Sequence, residues 1–508
     1  MTQNSKMPQY PESFWRKVEL PSFGKLSEHS SVDIAIVGGG ITGITAGLLL
    51  VKEGFKVAIL EAGEIITGTT GHTTAKITAQ HGLIYDELIQ HFGVEKAQLY
   101  YEAQHEALQF IRNSVAEKNI DCDFSNEDAY IYTISDEYVA KLETEKDAYS
   151  KLGIDSRMVE GIPFDIQTKS TIVMNNQAQF HPLKYLHRLL QDFLDAGGTV
   201  YEHTTAVDIG EGDNPVIITR DGHRMKCKYV IVASHYPFVD MMGFYFARMY
   251  ASRSYVLGVK VEKDFPGGMY YSADTPTRSL RYTPYNGDKL VLVGGEGHKT
   301  GQGINMIKHY VALEDFAEKV LNITDFPYRW SAQDLITLDK VPYIGPITAN
   351  RPSILVATGY RKWGMTNGTA AALLLKDIII EKENPYRDLY APSRFQADPS
   401  LKKIISINTE VAGHLIKGKL ELVPKEPTDL ENDEGAVVMV KGKRAGAYRD
   451  KEGKLHLVDT TCTHLGCETE WNDAERTWDC PCHGSRYSYN GEVLNGPTKK
   501  PLRKVEME

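Results

Sequence analysis

Two short runs late in the chain carry residues whose types and spacing bind metal: Cys462-Thr-His464-Leu-Gly-Cys467 and Cys480-Pro-Cys482-His483-Gly-Ser485. A Cys-x-His is followed, after fifteen intervening residues, by a Cys-x-x-His. Each run offers one thiolate and one imidazole, so together they suit a centre with two sulfur and two nitrogen ligands. Zinc accepts such a set, but its Cys2His2 sites usually place a cysteine pair on one knuckle and a histidine pair further along. A pure disulfide scaffold is a weaker reading, because 508 residues bury a large core without staples.

One Cys and one His on each knuckle resembles the Rieske family, in which one iron of a [2Fe–2S] cluster has two Cys ligands and the other two His. On that resemblance Cys462 and Cys480 hold one iron, and His464 and His483 hold the other. The resemblance also implies a cluster-covering disulfide between Cys467 and Cys482, as in the respiratory branch. Ser485 and Tyr487 match positions where the high-potential branch places hydroxyl donors to a bridging sulfide and a ligand cysteine. Donors there stabilise the reduced cluster and raise its potential.

A second constellation lies towards the other end. Asp33-Ile-Ala-Ile-Val37 reads as a buried strand, and Gly38-Gly-Gly40-Ile41-Thr42-Gly43 comes directly after it. A helical stretch from Ile44 to Glu53 leads to a second strand, Lys56-Val-Ala-Ile-Leu60, closed by Glu61. This is G-x-G-x-x-G between a strand and a helix, with an acid after the next strand, the context that binds a dinucleotide. Gly38 permits the turn, Gly40 lets backbone approach a pyrophosphate, and Gly43 lets the helix lie close to the sheet. Glu61 is placed to accept hydrogen bonds from ribose hydroxyls.

The choice between NAD and FAD turns on the segment after Glu61. Ala62 to Lys76 is a small, hydroxyl-rich loop containing Thr69, Thr70, His72, Thr73 and Thr74. It resembles the D-amino-acid-oxidase-like flavoprotein superfamily, in which this loop wraps the pyrophosphate and approaches the isoalloxazine. Downstream, Asp339-Lys-Val-Pro-Tyr-Ile-Gly345-Pro346 is followed by Ile354-Leu-Val-Ala-Thr-Gly359-Tyr-Arg-Lys362-Trp363-Gly364-Met365-Thr366. The family pattern there is a loop, a strand, a glycine turn and a helix N-terminus aimed at the flavin pyrimidine, where its dipole stabilises negative charge on the reduced ring. Gln179-Phe-His181-Pro182 and Tyr229-Val-Ile-Val-Ala233 also fit. The resemblance extends the cofactor-binding set to Ile41, Thr42, Lys76, Val207 and Ala233, and it implies FAD. It covers about residues 30 to 395, and the whole chain resembles the flavin–Rieske fusion oxidoreductases of bacilli.

The expected architecture is an α/β Rossmann-like FAD-binding module with a mixed α+β substrate part, plus a C-terminal all-β Rieske domain. Residues 1–30 read as an N-terminal extension and 30–395 as the FAD-dependent oxidoreductase. Its FAD-binding part is expected at about 30–80, 170–235 and 335–395, and its substrate part at 82–170 and 236–334. Segment 82–150 has a helical pattern; 250–330 shows strand-like alternation ending in a helix. Residues 396–429 read as a linker and 430–508 as the Rieske domain, with short strands and Gly-rich turns.

The composition is 42% hydrophobic and 24% charged, ordinary for a globular protein. A net charge of −10 argues against a nucleic-acid partner. The first thirty residues lack an apolar signal region, and the longest apolar run, Ala370 to Ile380, contains Lys376 and Asp377. A cytoplasmic protein without an integral membrane segment is therefore expected. Cys122 and Cys227 are assigned no function.

Two redox centres on one chain define the expected chemistry. A flavin takes two electrons as a hydride and a [2Fe–2S] cluster carries one. The resemblance implies oxidation of an amine or amino acid at FAD, with single electrons passing to a high-potential cluster and then to an external acceptor. The acceptor or donor would be a one-electron protein or a quinone. Two alternatives stay open: a reductase fed through the cluster, and an electron-transfer protein without small-molecule turnover. A ring-hydroxylating oxygenase is rejected, because none of the sixteen histidines forms Asp-x-x-His-x-x-x-x-His. Gly68-Thr-Thr-Gly-His72 further resembles the segment of dimethylglycine and sarcosine dehydrogenases in which a histidine bonds covalently to flavin. Arg281, Tyr282, His298, Arg361, Lys362 and Trp363 are the substrate-side or catalytic candidates.

Overall fold

Ile34–Val37 and Val57–Leu60 are apolar and buried along their whole length, and they form neighbouring parallel strands with Ile34 opposite Val57. Burial on both faces is what a parallel sheet covered by helices requires. The computed structural model describes residues 6–394 except 211, 213 and 304, then 409, 411, 413 and 414, and finally 425–506. The sheet has six strands in the order Tyr343–Pro346, Ile354–Thr358, Tyr229–Val232, Ile34–Val37, Val57–Leu60, Thr199–Tyr201. Only the first pair is antiparallel. The helices Ile41–Lys52 and Gly364–Ile379 pack together. They meet at Gly368, where a Cβ would lie 2.8 Å from Ile41 Cγ2.

A nine-stranded mixed sheet forms the second layer. Its long strands Met249–Val261 and Ile323–Thr337 pair antiparallel, and Asp288–Lys299 and Arg278–Tyr285 continue it. Helices Tyr85–Phe92, Val94–Lys118, Asp136–Lys151 and Ile307–Val320 belong to the same part. The expected helical pattern over 82–150 therefore holds only in part. Ser125–Thr133 is a strand, with Ala129 and Ile131 to Thr133 buried. The expected FAD-binding segment 170–235 begins with a strand of this sheet. Ser170–Gln179 pairs on one edge with Ser125–Thr133 and on the other with Lys76–Ile77 and Ser156–Val159, so it is interior to the large sheet. A four-stranded sheet of Ser30–Ser31, Arg224–Lys226, Val216–Thr219 and Ala206–Gly210 completes the module.

The N-terminal residues are structural. Trp15 is fully buried and its indole N–H donates to the Thr73 carbonyl at 2.6 Å, while Ser13 Oγ donates to Gly71 O. Arg329 donates from Nε to the Pro8 carbonyl at 2.6 Å. Gln9 reaches across to the C-terminal part, bonding Asp433 and Lys451 at 3.0 Å each. Tyr10 lies under the cations of Lys451 and Arg476, each 4.1 Å from its ring centre.

Residues 425–506 are all-β. One sheet contains Glu434–Val440, Lys443–Arg449 and Leu455–Val458; the other contains Glu470–Asn472, Thr477–Asp479, Arg486–Ser488 and Val493–Asn495. The expected linker 396–429 lies mostly outside the described residues; its described end includes the single turn Pro427–Asp429. This part is docked on the flavin module. Met306 N–H donates to Asp473 at 2.7 Å, Tyr310 to Glu475 at 2.8 Å, and Gln333 Nε2 to the Gly484 carbonyl at 2.9 Å. Among the described residues no helix is long and apolar enough to cross a membrane.

Candidate redox site

The glycine turn is tight because side chains have no room there. Gly38 has φ +110°, and a Cβ on it would lie 2.4 Å from Ala233 O; a Cβ on Gly43 would lie 2.0 Å from Gly38 O. The turn feeds the N-terminus of Ile41–Lys52, the kind of helix end that binds anions; there the Ile41 N–H donates to Thr70 Oγ1 at 3.3 Å. Glu61 accepts from Gly39 N–H at 2.8 Å and from Gly63 N–H at 2.9 Å, one on each oxygen. Each carboxylate oxygen retains further lone pairs for a ribose. Burial raises the Glu61 pKa, and these backbone bonds oppose it.

The turn opens into a cavity of about 760 Å³. Of the cofactor residues expected from sequence, all line it except Gly43, Val207, Gly359 and Thr366. Gly43 and Gly359 act through backbone: Gly359 has φ +82° and would strike Thr337. Val207 offers its carbonyl to Lys499, and Thr366 hydroxyl donates to Thr78 O. The His72 ring lines the cavity with Nδ1 2.9 Å from the Gly68 carbonyl. A narrow glycine turn, a buried acid and a long cavity fit FAD.

Three polar groups deeper in the cavity matter for chemistry. Lys76 Nζ donates to Thr74 and Ser279 hydroxyls, each at 3.2 Å, and burial, with Arg281 adding, pushes its pKa down to about 7. Lys362 lies over Gly297 and is lowered by burial, an effect the Asp334 charge opposes. Asp334 is raised by burial, with His235 and Lys362 opposing. The His235 ring is also in the lining, and its buried Nε2 has no hydrogen-bond partner among the described residues.

Of the substrate-side candidates, Lys362 and Trp363 face this space. Arg281 does not: its guanidinium is consumed by the carbonyls of Ala75 at 2.8 Å and Tyr282 at 3.0 Å, beneath Trp15. His298 does not: it bonds Tyr255 hydroxyl at 3.0 Å and Lys299 O at 2.8 Å, and stacks on His309. Tyr282 donates to Glu127, and Arg361 to the His81 carbonyl. Arg253, Arg278 and Tyr271 line the cavity without having been read from sequence, as do Glu475, Thr477 and Arg486 of the C-terminal domain. Their inward placement depends on contacts between distant segments, which no local motif signals.

The second centre is built from two matched turns. Cys462 N–H donates to Cys467 O and Gly466 N–H to Cys462 O; Cys480 N–H donates to Ser485 O and Gly484 N–H to Cys480 O. Gly466 and Gly484 have φ +81° and +77°, a conformation glycine adopts without strain. Cys467 and Cys482 are joined by a disulfide, and Cys480 Sγ lies within 4.8 Å of both its sulfurs. Cys462 and Cys480 are free, buried thiols facing one another. That contact, aided by Tyr487, draws the Cys462 thiol down to about 6, and it drives Cys480 up. His464 and His483 rings stand edge to face, 5.0 Å apart. Tyr487 hydroxyl is 3.3 Å from Cys462 Sγ, while Ser485, fully buried, accepts from Thr498 N–H at 3.3 Å. Two thiols and two imidazoles brought together this way suit a [2Fe–2S] cluster with mixed ligands.

The fold and these two sites define a flavoprotein oxidoreductase joined to an iron–sulfur domain. The family model for FAD dependent oxidoreductase matches residues 33–378, and the Rieske [2Fe-2S] domain model matches 422–506. The chain belongs to the FAD-dependent oxidoreductase family and carries a C-terminal Rieske domain; its cofactors are FAD and a [2Fe–2S] cluster. It is 51% identical over 499 residues to YhfW of Bacillus subtilis (strain 168), whose name describes a Rieske 2Fe-2S iron-sulfur protein, covering 98% of each chain. It is 24% identical to gamma-glutamylputrescine oxidoreductase of Escherichia coli (strain K12), over 70% of this chain and 85% of that one. Glycine oxidase from Geobacillus kaustophilus has the same flavin fold, with TM-score 0.61 at 18% identity, over 72% of this chain and 99% of that one. The protein is an FAD-dependent oxidoreductase.

Proposed function

We propose that this protein oxidises the carbon–nitrogen bond of an amine or amino acid and passes the electrons singly, through its Rieske domain, to an external acceptor. The observation that supports this most is the composition of one cavity wall. Glu475, Thr477 and Arg486 of the Rieske domain line the same cavity as the flavin turn. Gln333, also in that lining, bonds the Gly484 carbonyl of the cluster loop at 2.9 Å. When bound, FAD supplies a two-electron acceptor and the cluster a one-electron carrier.

The protein's own groups have definable tasks in this reading. The Gly38–Gly43 turn and Glu61 hold pyrophosphate and ribose. Cys462, Cys480, His464 and His483 hold the cluster. Lys76, with a pKa of about 7, holds or releases a proton at Nζ at neutral pH. Arg278, paired with Glu296 at 2.6 Å, and Lys362, whose charge burial disfavours and Asp334 supports, are the cationic groups on the cavity wall that a substrate carboxylate would meet.

The test is anaerobic mixing of the full-length holoprotein with a panel of amines and amino acids, followed by absorbance and low-temperature EPR. Flavin bleaching followed by a reduced-cluster signal is expected. Cluster reduction by an external reductant, preceding flavin reduction and with no amine active, refutes it in favour of inward flow. Attachment of the flavin to His72 is read separately: acid precipitation leaves yellow colour in the pellet if the bond exists.

A further inference from the structure

Asp240 belongs to the flavin module, yet its carboxylate reaches a histidine of the cluster loops. Asp240 Oδ2 lies 3.0 Å from His464 Nε2, and the two side chains are 7% and 9% exposed. The Phe246 ring, on the same segment, stands in edge-to-face contact with both imidazoles, its centre 6.2 Å from that of His464 and 5.7 Å from that of His483. The other end of this segment lines the flavin cavity through Ser234, His235, Tyr236 and Phe238. One stretch of backbone thus has an end in each redox site.

The nitrogen engaged by Asp240 is Nε2, which leaves Nδ1 for iron. A histidine bound to metal through one nitrogen keeps the other as an N–H donor. A carboxylate that accepts this bond fixes the ring and makes it a more basic ligand. The negative charge sits in a dry interface, where salt screens it little. A more basic ligand and a nearby anion both favour the more positive, oxidised cluster.

We propose that Asp240 is a positioning residue by which the flavin module grips the His464 side of the cluster and lowers its reduction potential. Its pull opposes that of Ser485 and Tyr487, so the potential is set jointly by the two modules and not by the Rieske fold alone. The inference rests on His464 being an iron ligand.

The experiment is a redox titration of full-length holoprotein followed by EPR and visible circular dichroism. Asp240→Asn should shift the reduction equilibrium roughly tenfold or more towards the reduced cluster, an upward move of about 59 mV per tenfold for one electron. Asp240→Glu, which keeps the charge, should stay near the wild type. An unmoved or lowered potential in Asp240→Asn overturns the proposal. Should that variant lose its cluster, nitrogen ENDOR of the wild type decides. Distinct couplings for the two histidines support the grip, and equal couplings overturn it. A wild type with no Rieske-type signal removes the ligand assignment itself, whereas a normal signal with an unmoved potential removes only the role of Asp240.

Discussion

Gly301 offers a direct test of how firmly the Rieske domain is seated. It has φ +73°, and a Cβ there would lie 2.6 Å from both the Cys480 carbonyl carbon and the Pro481 nitrogen. Those are backbone atoms of the cluster loop and cannot swing aside. Alanine at a left-handed position costs about 1–2 kcal/mol, and forced overpacking adds about 1–3 kcal/mol. Gly301→Ala should therefore cost roughly 2–5 kcal/mol. Gly442 is the control: φ is +75°, but nothing lies within 4 Å of its Cβ, so Gly442→Ala pays only the backbone share. The assay is denaturant unfolding of full-length holoprotein, with the cluster and flavin signals read separately because two modules need not unfold together. Gly301→Ala should lower the first midpoint further than Gly442→Ala and speed hydrogen exchange at Met306, whose amide is bonded to Asp473 across the interface. Equal midpoints and unchanged exchange would refute the docking argument.

Three other expectations rest on the same geometry. Tyr487→Phe removes a hydroxyl 3.3 Å from Cys462 Sγ and should lower the cluster potential by ~59 mV, a tenfold change, in a redox titration; a rise would contradict the role given to the donor. The disulfide closes a separation of 15 residues, so the Cys467→Ser/Cys482→Ser double variant should lose about 3 kcal/mol in the cluster-monitored transition while the flavin transition stays put. Burial holds His181 at about 3 and His298 at about 4 in the folded protein. Both are neutral when folded but take up protons near 6.5 when unfolded, so stability is full above that pH and falls as pH drops through the window down to those values. Their joint contribution to the loss from pH 6 to pH 5 is roughly 2 kcal/mol, and His181→Asn, which can keep the helix cap, should remove about half of that contribution in pH-dependent unfolding.

The parts legible in sequence are those whose ligands lie close together along the chain. Cys462 and His483 are near enough for their spacing to suggest a metal centre, which the Rieske resemblance makes a cluster, and the Gly38–Gly43 turn with Glu61 is a single strand–helix–strand unit. Contacts between distant segments stay hidden. Asp240 meets His464 across 224 positions, and neither residue's neighbours foretell it. Arg281 looks available to a substrate because its captors, the carbonyls of Ala75 and Phe180, are backbone groups that sequence does not distinguish. Ser125–Thr133 does not read as a strand because Asn126, Glu127 and Asp128 give its first half the polarity of a loop.

The reach of Gln9 and Tyr10 to Asp433, Lys451 and Arg476 also bears on synthesis. Those two residues leave the ribosome well before their partners, which are made more than 420 positions later. At 5–20 residues per second, the strap waits about 20–90 s for its partners to be made. The Trp15 anchor on Thr73 can form within the first seconds, so it can hold the strap near the flavin loop until the Rieske domain emerges. Assembly of the two modules is thus ordered in time, with a segment made early serving as a clasp that closes once the Rieske domain is made.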